Sequence, residues 1–497
     1  MRSGGRVVEG ARLESEYTAK PYRGFESLPL RHLLRQNAVL QPESSCVRNE
    51  TNILANKQKL VDGPCWLHQR LTTNTSLLRS PCTGEHVKRA TKDRSIVPLP
   101  VSYMGTKRQL ATVVSDMVEL SPPGPLLDVF AGMCAVATAV GPRRQVWTND
   151  LQHFAHNVAR AHFCAQADPP TRLDAAAITM SHYSQHIVQQ GKNCSARIRA
   201  EHRALEEGDY EQLGRLYSEW ESTLDVSSSQ LAVDRPANLF AETFAGSYFG
   251  LSQCIEIDAI RSGIDLALAS GHVGDDQHRW LILALCVAIS KVSTSTGHFA
   301  QPLTPKRNNI RRFTKQRSLS VRESWLSAVE HLSPVGNRQW RQQNKAFIGD
   351  AMLTLQHINT ITSRPAVVYA DPPYTNDQYS RYYHVYETLI LYDFPTALGK
   401  GRYRPDRAVS DFSLATRVER SINDLISQCS VMGCDLVLSY PADGLLRNSR
   451  AIIPSLIRQH YGREPTVIEL EHVHSTMGGS KGSVKQDVIE VLYRAFH

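Results

Sequence analysis

The 497 residues carry a formal charge of +8 and are 41% hydrophobic, a composition that fits an ordinary globular chain and excludes a collagenous, fibrous or wholly disordered one. That length permits about two to four folding units around a large core. The basic excess is compatible with a polyanionic partner without demanding one, and no apolar run is long enough to span a bilayer; the best, Leu281 to Ile289, reads as a buried helix.

Residues 1–97 have weak periodicity and many Asn, Arg and Ser, and are read as a disordered arm. Within it, Gly24-Phe25-Glu26-Ser27 can be encoded by a stretch containing GGTTCGAATCC, the T-arm of a tRNA gene, and Glu9 to Ser15 resembles other translated tRNA genes. Two readings stay open: a start placed too far upstream, or a genuine N-terminal arm. No signal-peptide core precedes it. Regular structure becomes readable near Val97. Leu126 to Phe130 is a short apolar strand running into Ala131-Gly132-Met133-Cys134 and a small-residue helix. Gln145 to Asn149 is a second strand ending at Asp150, followed by a helix through Arg160. Strand, tight turn, helix, strand is the βαβ pattern of a parallel sheet.

From 161 to 343 the pattern turns helical and more charged. Arg197 to Trp220 reads as an exposed helical stretch, and Ser252 to Ala269 and Arg279 to Val292 as amphipathic or buried helices. Seven Lys or Arg and no acid lie between Lys306 and Arg322. The α/β pattern returns from 344 to 497: Ala366 to Ala370 is an apolar strand followed at once by Asp371, and Leu436 to Ser439 is another. Val467 to His474 and Asp487 to Phe496 form a hairpin around the Gly-rich loop 478–482. The ten cysteines include no C-x-x-C pair, Cys429 and Cys434 being the closest two, so a zinc site is not expected and reduced core thiols are.

The most informative feature is Asp371-Pro372-Pro373-Tyr374. It follows the carboxyl end of an apolar strand, where open α/β sheets place ligands. An aromatic amino nitrogen is a poor nucleophile because its lone pair is delocalised into the ring. A carboxylate (Asp371) and a backbone carbonyl (Pro372) can accept its two N–H groups, draw the nitrogen towards tetrahedral geometry and free that lone pair. The two prolines stiffen the turn, and Tyr374 is placed to stack on a base.

These residues resemble the Dam-type (alpha-group) N6-adenine DNA methyltransferases. Tyr103-Met104-Gly105-Thr106-Lys107 resembles that family's first motif, Asp128-Val129-Phe130-Ala131-Gly132 its glycine-rich motif, and Asp371 to Tyr374 its catalytic tetrapeptide. Ser380 to His384, Tyr248-Phe249 and Ile257 to Arg261 resemble one bacterial branch of it. The resemblance covers roughly residues 98 to 497. It implies a Rossmann-like α/β fold binding S-adenosylmethionine, with a C-terminal antiparallel hairpin and a helical target-recognition insert at 161–343, between a cofactor half at 98–160 and a catalytic half at 344–497. It also implies cofactor contacts from Tyr103, Gly105, Lys107, Asp128, Phe130, Gly132, Asp150, Asp350 and Asp371. Where the family has a second glycine this chain has Cys134, which puts close backbone approach to the cofactor in question.

The expected activity is methyl transfer to N6 of adenine in double-stranded DNA, on a base flipped out of the stack. Phosphate contacts are assigned to Lys306, Arg307, Arg311, Arg312, Lys315 and Arg317. No metal is expected. The location is expected to be the bacterial cytoplasm, at the nucleoid, with a cognate restriction endonuclease as a candidate partner. The rival readings are an RNA adenine methyltransferase with the same centre and a non-catalytic DNA-binding protein on a decayed scaffold.

Overall fold

The computed structural model describes residues 101, 103, 107–224, 237–361, 363–474 and 486–497. The N-terminal arm, Gly105 and the loop 478–482 lie outside the described residues. Seven strands form one sheet: β1 (Leu126–Asp128), β2 (Val146–Asp150), β3 (Lys345–Ile348), β4 (Val367–Ala370), β5 (Asp435–Pro441), β6 (Thr466–His474) and β7 (Gln486–Ala495). Their order is β3-β2-β1-β4-β5-β7-β6. The first five are mutually parallel, and β7 enters antiparallel to both β5 and β6, which makes the C-terminal hairpin. This mixed α/β architecture is consistent with a Rossmann-like methyltransferase topology.

The central strands alternate between two cores, as the period-two geometry of a strand dictates. Leu126, Val146, Val367 and Tyr369 face one core. Leu127, Trp147, Val368 and Ala370 face the other, where α13 (Ala351–Thr360), α15 (Val418–Val431) and α16 (Ser449–Tyr461) cover them.

The remaining helices, in chain order, complete the first layer and the insert. α1 (Ala111–Glu119) and α2 (Ala135–Val140) flank β1, and α3 (His153–Ala159) follows β2. Between β2 and β3 lie α4 (Arg172–Asn193), α5 (Ser195–Glu207), α6 (Tyr210–Leu224), α7 (Leu239–Thr243), α8 (Leu251–Ala269), α9 (Asp275–Val292), α10 (Ile310–Arg317), α11 (Val321–His331) and α12 (Arg338–Arg341). α14 (Ser380–Leu391) follows β4. α4 starts where Thr171 and Asp174 form a reciprocal capping box just after Pro169-Pro170, which cannot continue a helix.

The insert is not a free-standing lobe. Ile257, Ile260 and Ile264 of α8 and Leu281 to Leu285 of α9 belong to the same buried cluster as Phe154 of α3 and Tyr383 and Tyr386 of α14. Buried polar latches fix the contact. Asp258 accepts from the N–H groups of Phe240 and Ala241 at 2.9 Å each and from the Tyr392 hydroxyl at 2.6 Å. Arg261 donates to the carbonyls of Leu389 and Ile390 at 2.9 and 3.2 Å. Tyr248 donates to the Phe299 and Gly401 carbonyls. These groups come from the insert motifs singled out in the sequence; Asp258 and Arg261 join the insert to the end of α14, and Tyr248 joins it to Gly401.

Two elements differ from the sequence reading. The stretch 197–220 is two helices, broken at Gly208 in the left-handed conformation (φ 68°), and it is only half exposed: Glu201, Leu205, Leu213, Tyr217 and Trp220 are buried. Strand β3 is legible in sequence only as the motif beside Asp350. At the sheet edge Lys345, Ala346 and Phe347 are half-buried and Ile348 is exposed, with no alternation.

Candidate active site

Parallel pairing brings the carboxyl ends of β3, β2, β1 and β4 to one edge of the sheet. Asp128 ends β1 opposite Thr148 and Tyr369, and Asp150 ends β2 opposite Ile348. Asp350 follows β3 by two residues, and Asp371 follows β4 directly. Four carboxylates far apart in sequence therefore line one cavity of about 1010 Å³, open mouth included. Tyr103, Lys107, Phe130, Gly132, Pro372, Pro373 and Tyr374 share its walls, so every described residue expected at the cofactor and catalytic positions borders it.

Two of the lining residues, Lys107 and Asp371, belong to a three-charge cluster. Lys107 Nζ lies 3.0 Å from Asp371 Oδ1 and 3.1 Å from Glu490 Oε1, and 5.1 Å from the Tyr374 ring centroid. Glu490, on β7, is fully buried and also accepts from the Ser439 hydroxyl. Burial opposes the Lys107 charge, but the two carboxylates hold its pKa well above the ordinary value. Burial pushes the Asp371 carboxyl up to about 7, with Lys107 opposing and Glu490 adding to the rise. Asp128 is likewise raised by burial and by the charges of Asp371 and Asp150. Its Oδ1, and the Tyr369 hydroxyl, have no hydrogen-bond partner among the described residues. Buried polar atoms are seldom left so, which marks this wall as built for a polar ligand.

Gly132 makes the turn after β1. Its N–H donates to Asp150 Oδ2 at 2.8 Å, while Asp150 Oδ1 accepts from the Gln152 N–H at 3.0 Å. Asp150 thus braces the glycine turn at the cavity wall. Burial raises its pKa to about 6, with the N–H groups of Gln152, Gly132 and Leu151 holding it back. Gly132 has φ 47°, and a Cβ there would stand 3.0 Å from the Tyr103 ring. Gly132→Ala is expected to cost about 1–2 kcal/mol from the backbone alone, read as a lower denaturant midpoint. An unchanged midpoint would refute the strain. Cys134, where the resembling family has glycine, keeps the glycine-like backbone: it is left-handed at φ 56° and caps α2. The departure is one of side chain, not of chain path. Asp350 is the N-cap of α13, its Oδ1 accepting from the Met352 and Leu353 N–H groups at 2.9 and 3.2 Å.

Sequence reasoning missed part of the wall. Phe412 packs edge-on to Phe130 at 5.1 Å. It belongs to a segment held over the cavity by paired bonds between Gln378 and Ser410 and by Ser380 Oγ donating to the Ala408 carbonyl at 2.7 Å. No local pattern marks that segment. Glu490 did leave a signal, since it interrupts the apolar run Val488-Ile489 and Val491-Leu492. His384 is a buried structural group bonded to the Phe299 carbonyl at 2.9 Å.

The basic run needs one correction. Arg317 is buried on the same face of α10 as Phe313, donates to the Tyr248 carbonyl at 2.9 Å and to Thr294, and lies 3.9 Å from Glu201. Its guanidinium is committed inside the protein and is not available to phosphate. Lys306, Arg307, Arg311, Arg312 and Lys315 are exposed, with Arg312 also donating to the Ser295 carbonyl.

A family model, "D12 class N6 adenine-specific DNA methyltransferase", matches residues 339–431. That span holds β3, β4 and the Asp-Pro-Pro-Tyr turn. The chain is distantly related to the N6-adenine DNA methyltransferases. It is 25% identical over 181 residues to the modification methylase LlaI of Lactococcus lactis subsp. lactis, covering 36% of this chain and 26% of that protein. It is 25% identical over 214 residues to the Type II methyltransferase M.FokI of Planomicrobium okeanokoites, covering 43% of this chain and 29% of that protein. The match therefore spans under a third of either relative. Among the described residues no helix is long and apolar enough to cross a membrane, and no group of His, Cys, Asp or Glu is arranged to hold a metal ion.

Proposed function

We propose that the chain transfers a methyl group to N6 of adenine in double-stranded DNA, as a Dam-type, alpha-group enzyme. The observation that carries this reading is the emergence of Asp371-Pro372-Pro373-Tyr374 from β4 into a cavity walled by the glycine turn and the acidic ends of β1, β2 and β3. The cavity suits S-adenosylmethionine: Asp128 Oδ1 is an unmatched buried acceptor, Gly132 leaves room that a side chain would fill, and Asp150 and Asp350 present carboxylates at its rim. Tyr103, Lys107 and Phe130 complete the proposed contacts. When bound, that molecule supplies the methyl on a positively charged sulfonium.

The protein's part is to hold the base. Asp371 and the Pro372 carbonyl accept the two amino N–H groups. That carbonyl takes no backbone hydrogen bond among the described residues. Tyr374 stacks on the ring, and Lys107 fixes the orientation of Asp371. Extrusion of the adenine lets it reach this depth. We assign 161–343 as the target-recognition insert, with Lys306, Arg307, Arg311, Arg312 and Lys315 on phosphates. The two relatives, a modification methylase and a Type II methyltransferase, suggest a restriction–modification setting and a partner endonuclease.

Incubation with tritiated S-adenosylmethionine and either unmethylated plasmid DNA or total RNA tests the reading. Label is expected in adenine of DNA. Label confined to RNA, or none in either, would overturn it. The pH dependence adds a check. Asp371 accepts two hydrogen bonds well only when ionised, and its carboxyl is raised to about 7. The kcat/KM profile, which reports groups of the free enzyme, is expected to fall about tenfold per pH unit below that point. Glu490→Gln removes a charge that raises Asp371 and is expected to move the limb to lower pH.

A further inference from the structure

Five arginines lie in and beside the segment that follows the catalytic turn and closes over the cavity. Three are spoken for. Arg404 pairs with Asp393 and Asp406 at 2.6 and 2.8 Å, Arg402 with Glu221 at 3.5 Å, and Arg417 with Asp411 at 2.9 Å. Arg381 and Arg407 form no ion pair among the described residues. Both flank one ring, Tyr403, with guanidinium carbons 5.8 and 4.5 Å from its centroid. Each is also anchored: Arg381 Nε donates to the Tyr403 hydroxyl at 3.1 Å, and Arg407 Nε to the Arg404 carbonyl at 3.1 Å. Both residues are partly exposed. Asp377 accepts from Tyr382, and its charge also acts on Arg381 without forming an ion pair.

Two like charges share one aromatic platform, and Arg381 stands in the first turn of α14, where the helix dipole favours an anion over a cation. Neither arginine lines the cavity, but Ser380 and Ala408, their immediate chain neighbours, do, and those two are bonded to each other.

We propose that Arg381 and Arg407, braced by Tyr403, form a subsite for the DNA phosphates flanking the extruded nucleotide. The inference rests on the methyltransferase reading and adds to it a phosphate site separate from the exposed residues of the basic run. A planar guanidinium fork matches a phosphate bidentately, and two forks on a rigid ring leave little entropy to lose on binding.

The test uses the full-length protein with Arg381→Gln, Arg407→Gln, the double variant and the two Lys variants. Three quantities are read: KM for unmethylated plasmid DNA, affinity for a short fluorescent DNA duplex as a function of salt, and affinity for S-adenosylmethionine by calorimetry. The double Gln variant is expected to weaken DNA binding at least about tenfold and to flatten the log affinity–log salt slope by about 0.9 for each phosphate no longer neutralised. Cofactor affinity and thermal midpoint should stay at wild-type values, and the Lys variants should recover part of the slope. Unchanged DNA affinity and slope would overturn the subsite, as would a weakening matched by lower cofactor affinity or a lower thermal midpoint, because that marks a purely structural role. Wild-type protein that binds DNA through these arginines yet transfers no methyl group would sink the methyltransferase reading and leave the subsite standing.

Discussion

Asp371→Ala is expected to lower kcat by at least about 10²-fold, the scale seen when one positioned polar group is removed from a reacting centre, while the protein stays folded. The second half of that expectation comes from the cluster. With the Asp371 carboxylate gone, buried Lys107 still lies 3.1 Å from Glu490, so no unpaired charge is left in the core. Tritium transfer to DNA should vanish while the thermal midpoint moves little and S-adenosylmethionine still binds. An active Asp371→Ala protein would show that the nitrogen does not depend on this carboxylate.

Lys107→Met is expected to have the largest effect on stability. It leaves Asp371 and Glu490 buried side by side without the cation between them, and removing one partner from a buried ionic group costs about 3–5 kcal/mol. The deficit should depend on pH with a definite sign. A carboxyl whose folded pKa is raised, as burial already raises Asp371 to about 7, binds more protons folded than unfolded. Its contribution to stability is therefore present below the unfolded value, about 4, and is lost as pH rises through the folded value. Without Lys107 that rise grows. Denaturant midpoints of the variant should approach wild type near pH 5 and diverge most near pH 8. A deficit that does not change between those values would remove the charge argument.

Much of the sheet was legible in the sequence because buried parallel strands are short apolar runs, and because the strand-end acids and the Asp-Pro-Pro-Tyr turn directly follow such runs. The ends of β1, β2 and β4 were read from Leu126 to Phe130, Gln145 to Asp150 and Ala366 to Asp371 in this way. What escaped was set by tertiary packing. β3 lies at the sheet edge and needs no apolar alternation. Glu490 becomes part of the site only when β7 slots in beside β5, 119 positions after Asp371. Arg317 looked like its basic neighbours, but its spacing of four from Phe313 put it on the inner face of α10. The run was read as a charge count, where the helical period decided the matter.

The latches at Asp258, Arg261 and Tyr248 bear on how this protein would tolerate re-engineering. A chimera that exchanged residues 161–343 as a cassette would strip Tyr392 and the Leu389 and Ile390 carbonyls of their partners and open the core beneath Tyr383 and Tyr386. New sequence preference is thus better sought on the outer surfaces of the helices, or by transplanting the α14 end together with its clasp. If the insert reads DNA as proposed, recognition and chemistry would be inherited as a unit.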